Sequence, residues 1–81
     1  MNDKNTDVTE RLLSLAARRF GKKRDDLSAS DDLFDALGID SVEAMTLLSA
    51  IEQELRVEVP DYEVQDVRTF ADLAAVIARR A

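Results

Sequence analysis

Ser41 is the side chain whose neighbours best define a setting for chemistry. It stands in the run Leu37-Gly38-Ile39-Asp40-Ser41-Val42-Glu43-Ala44-Met45. The glycine interrupts the backbone. Asp40-Ser41-Val42-Glu43 then reads as a capping box, with Asp40 as N-cap and Ser41 as the first helical residue. A helix start leaves backbone N–H groups unpaired and carries a positive end, so this hydroxyl stands where a phosphate is favoured. Ser14, Ser28, Ser30 and Ser49 lack the combination of a preceding aspartate and a helix start. The chain has no histidine and no cysteine. That removes the usual general base, thiolate chemistry, a disulfide framework and the commonest zinc ligands. A nucleophilic Ser41 would need Lys4, Lys22 or Lys23 as its base. Asp31, Asp32, Asp35 and Asp40 raise the question of calcium. A calcium loop starting at Asp31 needs a glycine at its sixth position and a glutamate at its twelfth. Ala36 and Val42 stand there, so no metal site is expected.

The elements that must position Ser41 read as helices. Two glycines and one proline in 81 residues leave little room for a turn-rich β fold, and abundant Ala, Leu, Arg and Glu favour helix. Residues 1–6 are polar and are expected to form a disordered tail. Asp7-Val8-Thr9-Glu10 reads as a capping box for a first helix ending near Phe20. Val8, Leu12, Leu15, Ala16 and Phe20 lie on its apolar face, and Gly21 is its left-handed cap. Arg18, Arg19, Lys22 and Lys23 match the negative end of that helix. A long connection over 22–40 is anchored by Leu27, Leu33, Phe34, Leu37 and Ile39, with a short turn capped by Ser30. The helix from Ser41 should run to Leu55 or Arg56 and bury Ala44, Leu47, Leu48, Ile51 and Leu55. Val42 and Met45 fall outside that stripe, beside Ser41, which suggests a docking surface. Val57-Glu58-Val59-Pro60 reads as an extended connector. A short third helix follows from Asp61 or Tyr62, with Val64 and Val67 packing inward. Thr69, with Asp72, caps a last helix that buries Phe70, Leu73, Ala74 and Ile77 and ends on Arg79 and Arg80. The expected architecture is all-α: a four-helix bundle with a short third helix and a long loop between helices one and two. It makes one domain over 1–81.

The net charge of −6 opposes nucleic acid and suits partners with basic patches. No apolar run is long enough to span a bilayer and the polar N-terminus is no signal peptide, so a cytoplasmic, non-inserted monomer is expected.

Over residues 7–80 the chain resembles the acyl carrier proteins. The resemblance rests on the loop ending in Leu37-Gly38-Ile39-Asp40-Ser41, the helix that follows, the Val59-Pro60-Asp61 entry to a short helix and the Thr69-Phe70 cap. Val42 replaces the usual leucine of the family's Asp-Ser-Leu motif. The resemblance implies a non-catalytic protein that holds acyl groups as thioesters on a phosphopantetheine arm. Ser41 would carry the arm and Asp40 would belong to the recognition site of a phosphopantetheinyl transferase. Val42, Glu43, Met45 and Glu52 match positions that contact partners, among them acyl-transferring and condensing enzymes. Leu47, Leu48, Ile51, Val59, Tyr62 and Val67 would line an acyl cavity. Thr46 and Ser49 replace an acidic and a bulky apolar residue of many fatty-acid carriers. Among fatty-acid, polyketide and specialised lipid enzymes as clients, that weakens housekeeping fatty acid synthesis and leaves room for a discrete polyketide, specialised lipid or aminoacyl carrier. An aminoacyl or peptidyl carrier and a helical module without the arm stay open, the peptidyl branch ranking lower because Gly38-Ile39 is not a glycine pair.

Overall fold

Helix α1 (Lys4–Phe20) lays Val8, Leu12, Leu13, Leu15, Ala16 and Ala17 into the core of the computed structural model, which describes residues 4–80. The buried face is wider than the expected stripe, because Leu13 and Ala17 join it, while Phe20 is only half-buried. The chain is already helical at Lys4, one turn before Asp7. Lys4-Asn5-Thr6 holds no proline or glycine to stop it, and Thr9 Oγ1 donates to the Asn5 carbonyl at 2.7 Å. Asp7 is therefore no N-cap. It is an exposed helical residue facing Arg11 at 3.7 Å, while Glu10 takes Arg24 at 2.8 Å. Of the expected tail, residues 4–6 are helical and 1–3 lie outside the described residues. Gly21 closes α1 at φ 66°, and the Lys22 N–H returns to the Ala17 carbonyl at 2.9 Å, as a left-handed cap requires.

The connection to the next long helix has its own structure. A 3-10 turn (Arg24–Asp26) precedes a five-residue helix, α2 (Leu33–Leu37). Its cap is Asp32, not Ser30: the Asp32 carboxylate accepts from the Phe34 N–H at 2.9 Å and the Asp35 N–H at 3.2 Å. Ser30 shares a hydroxyl contact with Ser28 instead. The register is decided from a distance. The Leu33 N–H donates to the Arg68 carbonyl at 2.8 Å, and the Phe70 and Ala71 N–H groups donate to Asp31 and Ala29. These bonds pin the loop to the chain just before the last helix. Leu27, Leu33, Leu37 and Ile39 are buried as expected of anchors, and Phe34 is half-buried.

Helix α3 (Ser41–Leu55) buries Leu47, Leu48 and Ile51 and ends on Arg56 in the left-handed region at φ 57°. The expected short third helix is only a 3-10 turn (Asp61–Glu63), entered through Pro60. Val64 and Val67 follow the turn, and both are half-buried. Arg79 and Arg80 hold Glu63 from the end of α4 (Phe70–Arg80). Among the described residues the bundle is thus four α-helices, with α2 as the short member, and a 3-10 turn between α3 and α4. Thr69 caps α4 reciprocally with Asp72: the Asp72 N–H donates to Thr69 Oγ1 at 3.0 Å, and the Thr69 N–H to the Asp72 carboxylate at 3.1 Å. Helix α1 packs chiefly along α4 and also against α3. Phe70, Leu12, Leu47, Ile51 and Ile77 are fully enclosed between them. Among the described residues no helix is long and apolar enough to cross a membrane.

Candidate functional site

Three successive side chains fix the site. Ile39 is buried, Asp40 caps α3, and Ser41 is exposed at the first helical position. The chain reaches them through Gly38, whose φ of 65° ends α2, and the Ile39 N–H bonds back to the Phe34 carbonyl at 3.1 Å. The expected capping box forms in both directions. The Glu43 N–H donates to Asp40 Oδ1 at 2.9 Å, and the Asp40 N–H donates to Glu43 Oε1 at 3.4 Å. The Ala44 N–H is taken by the Asp40 carbonyl. The N–H groups of Ser41 and Val42 have no such acceptor among the described residues, so the positive end of α3 is open beside the serine hydroxyl.

Ser41 also stands at the mouth of a groove of about 420 Å³, open to solvent on one side. Ala44, Met45 and Leu48 of α3 form one wall, and Leu33 and Phe34 of α2 another. The segment 61–68 supplies Asp61, Val64, Gln65, Val67 and Arg68, and Leu73 of α4 lies at the floor. Of the residues expected to line an acyl cavity, Leu48 and Val67 line this groove. Leu47, Ile51 and Val59 are buried in the core outside this groove, and Tyr62 is 68% exposed. Tyr62 lies in the 3-10 turn that Pro60 opens.

The expected docking side chains separate into two kinds. Val42 is 75% exposed and Met45 37%, with Met45 also at the groove. The carboxylates are engaged within the chain: Glu43 completes the cap, and Glu52 Oε2 accepts the Val59 N–H at 2.7 Å, tying down the connector after α3.

Acidic groups near the groove are stabilised as anions. Backbone N–H donation from Asp35 and Phe34, with Arg68 alongside, lowers the Asp32 carboxyl below its ordinary range. Donation from the Arg68 and Thr69 N–H groups lowers Asp72. Among the described residues the groove's ionisable lining is Asp61 and Arg68.

The family model described as the phosphopantetheine attachment site matches residues 10–77 of this chain. The chain belongs to that family. Its members are non-catalytic carriers, and phosphopantetheine is their covalently attached prosthetic group. The site of this carrier domain fits such a group: an exposed serine hydroxyl, unpaired N–H groups for a phosphate, and an adjoining groove with apolar walls. The groove lining was the part that sequence reading missed. The sequence marks Leu33, Phe34 and Leu73 as packing residues, but nothing local marks which of them faces a cavity, and nothing in the sequence singles out Arg68.

Proposed function

We propose that Ser41 receives the phosphopantetheine of this carrier and that its cargo is an acyl group. Asp40 forms part of the transferase recognition site. One observation carries the reading: an exposed hydroxyl at the open N-terminus of α3 adjoins a groove walled by Leu33, Phe34, Met45, Leu48 and Val67. When bound, the prosthetic group supplies a flexible chain ending in a thiol that holds acyl groups as thioesters. The chain's own residues orient the attachment, cover the cargo and meet the partners. Ser41 and Val42 N–H groups and the α3 dipole favour the phosphate. The groove walls shelter apolar cargo.

Partners are a phosphopantetheinyl transferase and the acyl-transferring and condensing enzymes of a biosynthetic pathway. Val42 and Met45 supply an apolar docking surface, with Glu43 beside them; Glu52 contributes through its hold on the connector. Exposed Thr46, whose hydroxyl bonds the Val42 carbonyl at 3.2 Å, and exposed Ser49 make this face less acidic and less apolar. That favours polyketide or specialised lipid synthesis over housekeeping fatty acid synthesis. The setting is a monomeric domain over residues 1–81 in the cytoplasm. Incubation with a transferase and coenzyme A should add one arm, and Ser41→Ala should abolish the addition while helical circular dichroism persists. Addition to the alanine variant would refute the assignment.

A further inference from the structure

Arg68 stands out among the groove's lining residues. Among the described residues it is the only cation in the lining, and it is held from two sides. Its Nη2 donates to Asp32 Oδ2 at 3.2 Å, and its Cζ lies 5.8 Å from the centre of the Phe34 ring. A guanidinium has five N–H donors in a planar fork, and among the described residues this contact is its only side-chain hydrogen bond. The Arg68 side chain is 71% exposed, so its remaining donors are accessible. Asp32 Oδ1 accepts the Phe34 and Asp35 N–H groups that start α2, which fixes the carboxylate that holds Arg68 through Oδ2. The salt bridge thus acts as a mount, and the aromatic face covers one side of the fork. Asp61 is the opposing charge in the lining. It is exposed on the 3-10 turn, and among the described residues it makes no ion pair with Arg68. A mounted cation with free donors, at a groove that otherwise offers apolar walls, is the arrangement that binds a planar or tetrahedral oxyanion.

We propose that Arg68 is a specificity-determining residue that binds an oxyanion carried into the groove on the Ser41 arm. The inference rests on Ser41 being the attachment point. Two sources share that chemistry: the phosphodiester at the root of the arm, and a carboxylate at the free end of a dicarboxylic acyl cargo. The second would let the apolar walls take the middle of the chain while Arg68 reads its end. A neutral chain of the same length would miss that contact.

The test compares unmodified, arm-bearing, butyryl-loaded and succinyl-loaded protein. It follows the Arg68 Nε–Hε resonance, the phosphorus resonance of the arm and the melting temperature. For a cargo carboxylate, the Arg68 signal moves only on succinyl loading and the succinyl form melts above the butyryl form. Arg68→Gln erases that gap, and Arg68→Lys restores part of it. For the phosphodiester, the Arg68 and phosphorus signals move as soon as the arm is added, butyryl and succinyl forms melt together, and Arg68→Gln abolishes the phosphorus shift. An Arg68 signal unchanged through all four states overturns the proposal, whatever the variants do. Failure of the attachment reading shows separately, as the absence of any mass gain. Free succinyl-pantetheine, butyryl-pantetheine and phosphopantetheine are then titrated onto the unmodified chain. A shift at Arg68 with the succinyl or phosphate compound alone supports the site, and none overturns it.

Discussion

Loading the arm with an octanoyl chain should raise the melting temperature above that of the unloaded form. The groove is about 420 Å³, within the usual range of roughly 300–1,000 Å³ for small-molecule pockets. A fully buried methylene contributes about 0.8 kcal/mol, so roughly six of them, half-covered in a groove open on one side, contribute about 2.5 kcal/mol. Ordering the arm and chain takes back about half of this. A remainder of about 1 kcal/mol corresponds to about 4–8 °C in a domain of this size. Differential scanning calorimetry on unloaded, acetyl and octanoyl forms reads it directly. Acetyl should match the unloaded form. Ala44→Leu provides the control. Ala44 is a half-buried groove residue on α3, and leucine is nearly as good a helix former. Its side chain would occupy the space the cargo needs, so the octanoyl gain should shrink while the unloaded stability hardly changes. Equal melting temperatures for all three forms of the unsubstituted protein would refute sequestration and leave the cargo in solvent. An undiminished gain in Ala44→Leu would move the chain to another part of the core.

Val42→Asp and Met45→Asp should each change stability by less than about 1 kcal/mol in denaturant titrations, yet slow arm addition by a transferase. Leu48→Asp should unfold the domain, because a residue only 3% exposed would become an unpaired buried charge. Arg56→Gly should stabilise by about 0.5–1 kcal/mol, since glycine removes a left-handed penalty of about 1–2 kcal/mol and returns part of it as unfolded-state entropy. Asp32 and Asp72 have lowered pKa values in the folded protein and titrate near about 3.9 when unfolded. Their contribution is therefore complete above that value and lost as pH falls through the lowered folded values. Urea midpoints should fall below about pH 4, less steeply in Asp32→Asn and Asp72→Asn, which start from lower stability at neutral pH.

How much was legible in the sequence follows the range of the interactions. The Asp40–Glu43 and Thr69–Asp72 caps each close within three residues, and both form as expected. Helical periodicity marks most of the buried faces of α3 and α4, but Ala44 and Leu55 are only half-buried and Val76 joins the core. The start of α1 was misplaced because a capping box is only an opportunity: with no stop signal before Asp7, helix propagation wins. The cap of α2 shifted from Ser30 to Asp32 because the Arg68 carbonyl, far along the chain, takes the Leu33 N–H. The groove suffered most. Leu47 and Leu48 are neighbours on one apolar stripe, and only the placement of α2 and of segment 61–68 decides that Leu48 faces the groove while Leu47 does not. Arg68 becomes a candidate only when Asp32 and Phe34 are seen around it.

The central claim is that Ser41, through its place at the start of α3, carries the arm. Peptide mapping of the transferase-treated protein tests it most directly. Trypsin should cut after Arg24 and Arg56 and release residues 25–56, which hold Ser28, Ser30, Ser41 and Ser49 together. Fragmentation of that peptide should place one phosphopantetheinyl group between Asp40 and Val42. A modified fragment that excludes Ser41, or a peptide 25–56 that stays unmodified while the intact protein gains mass, would contradict the account.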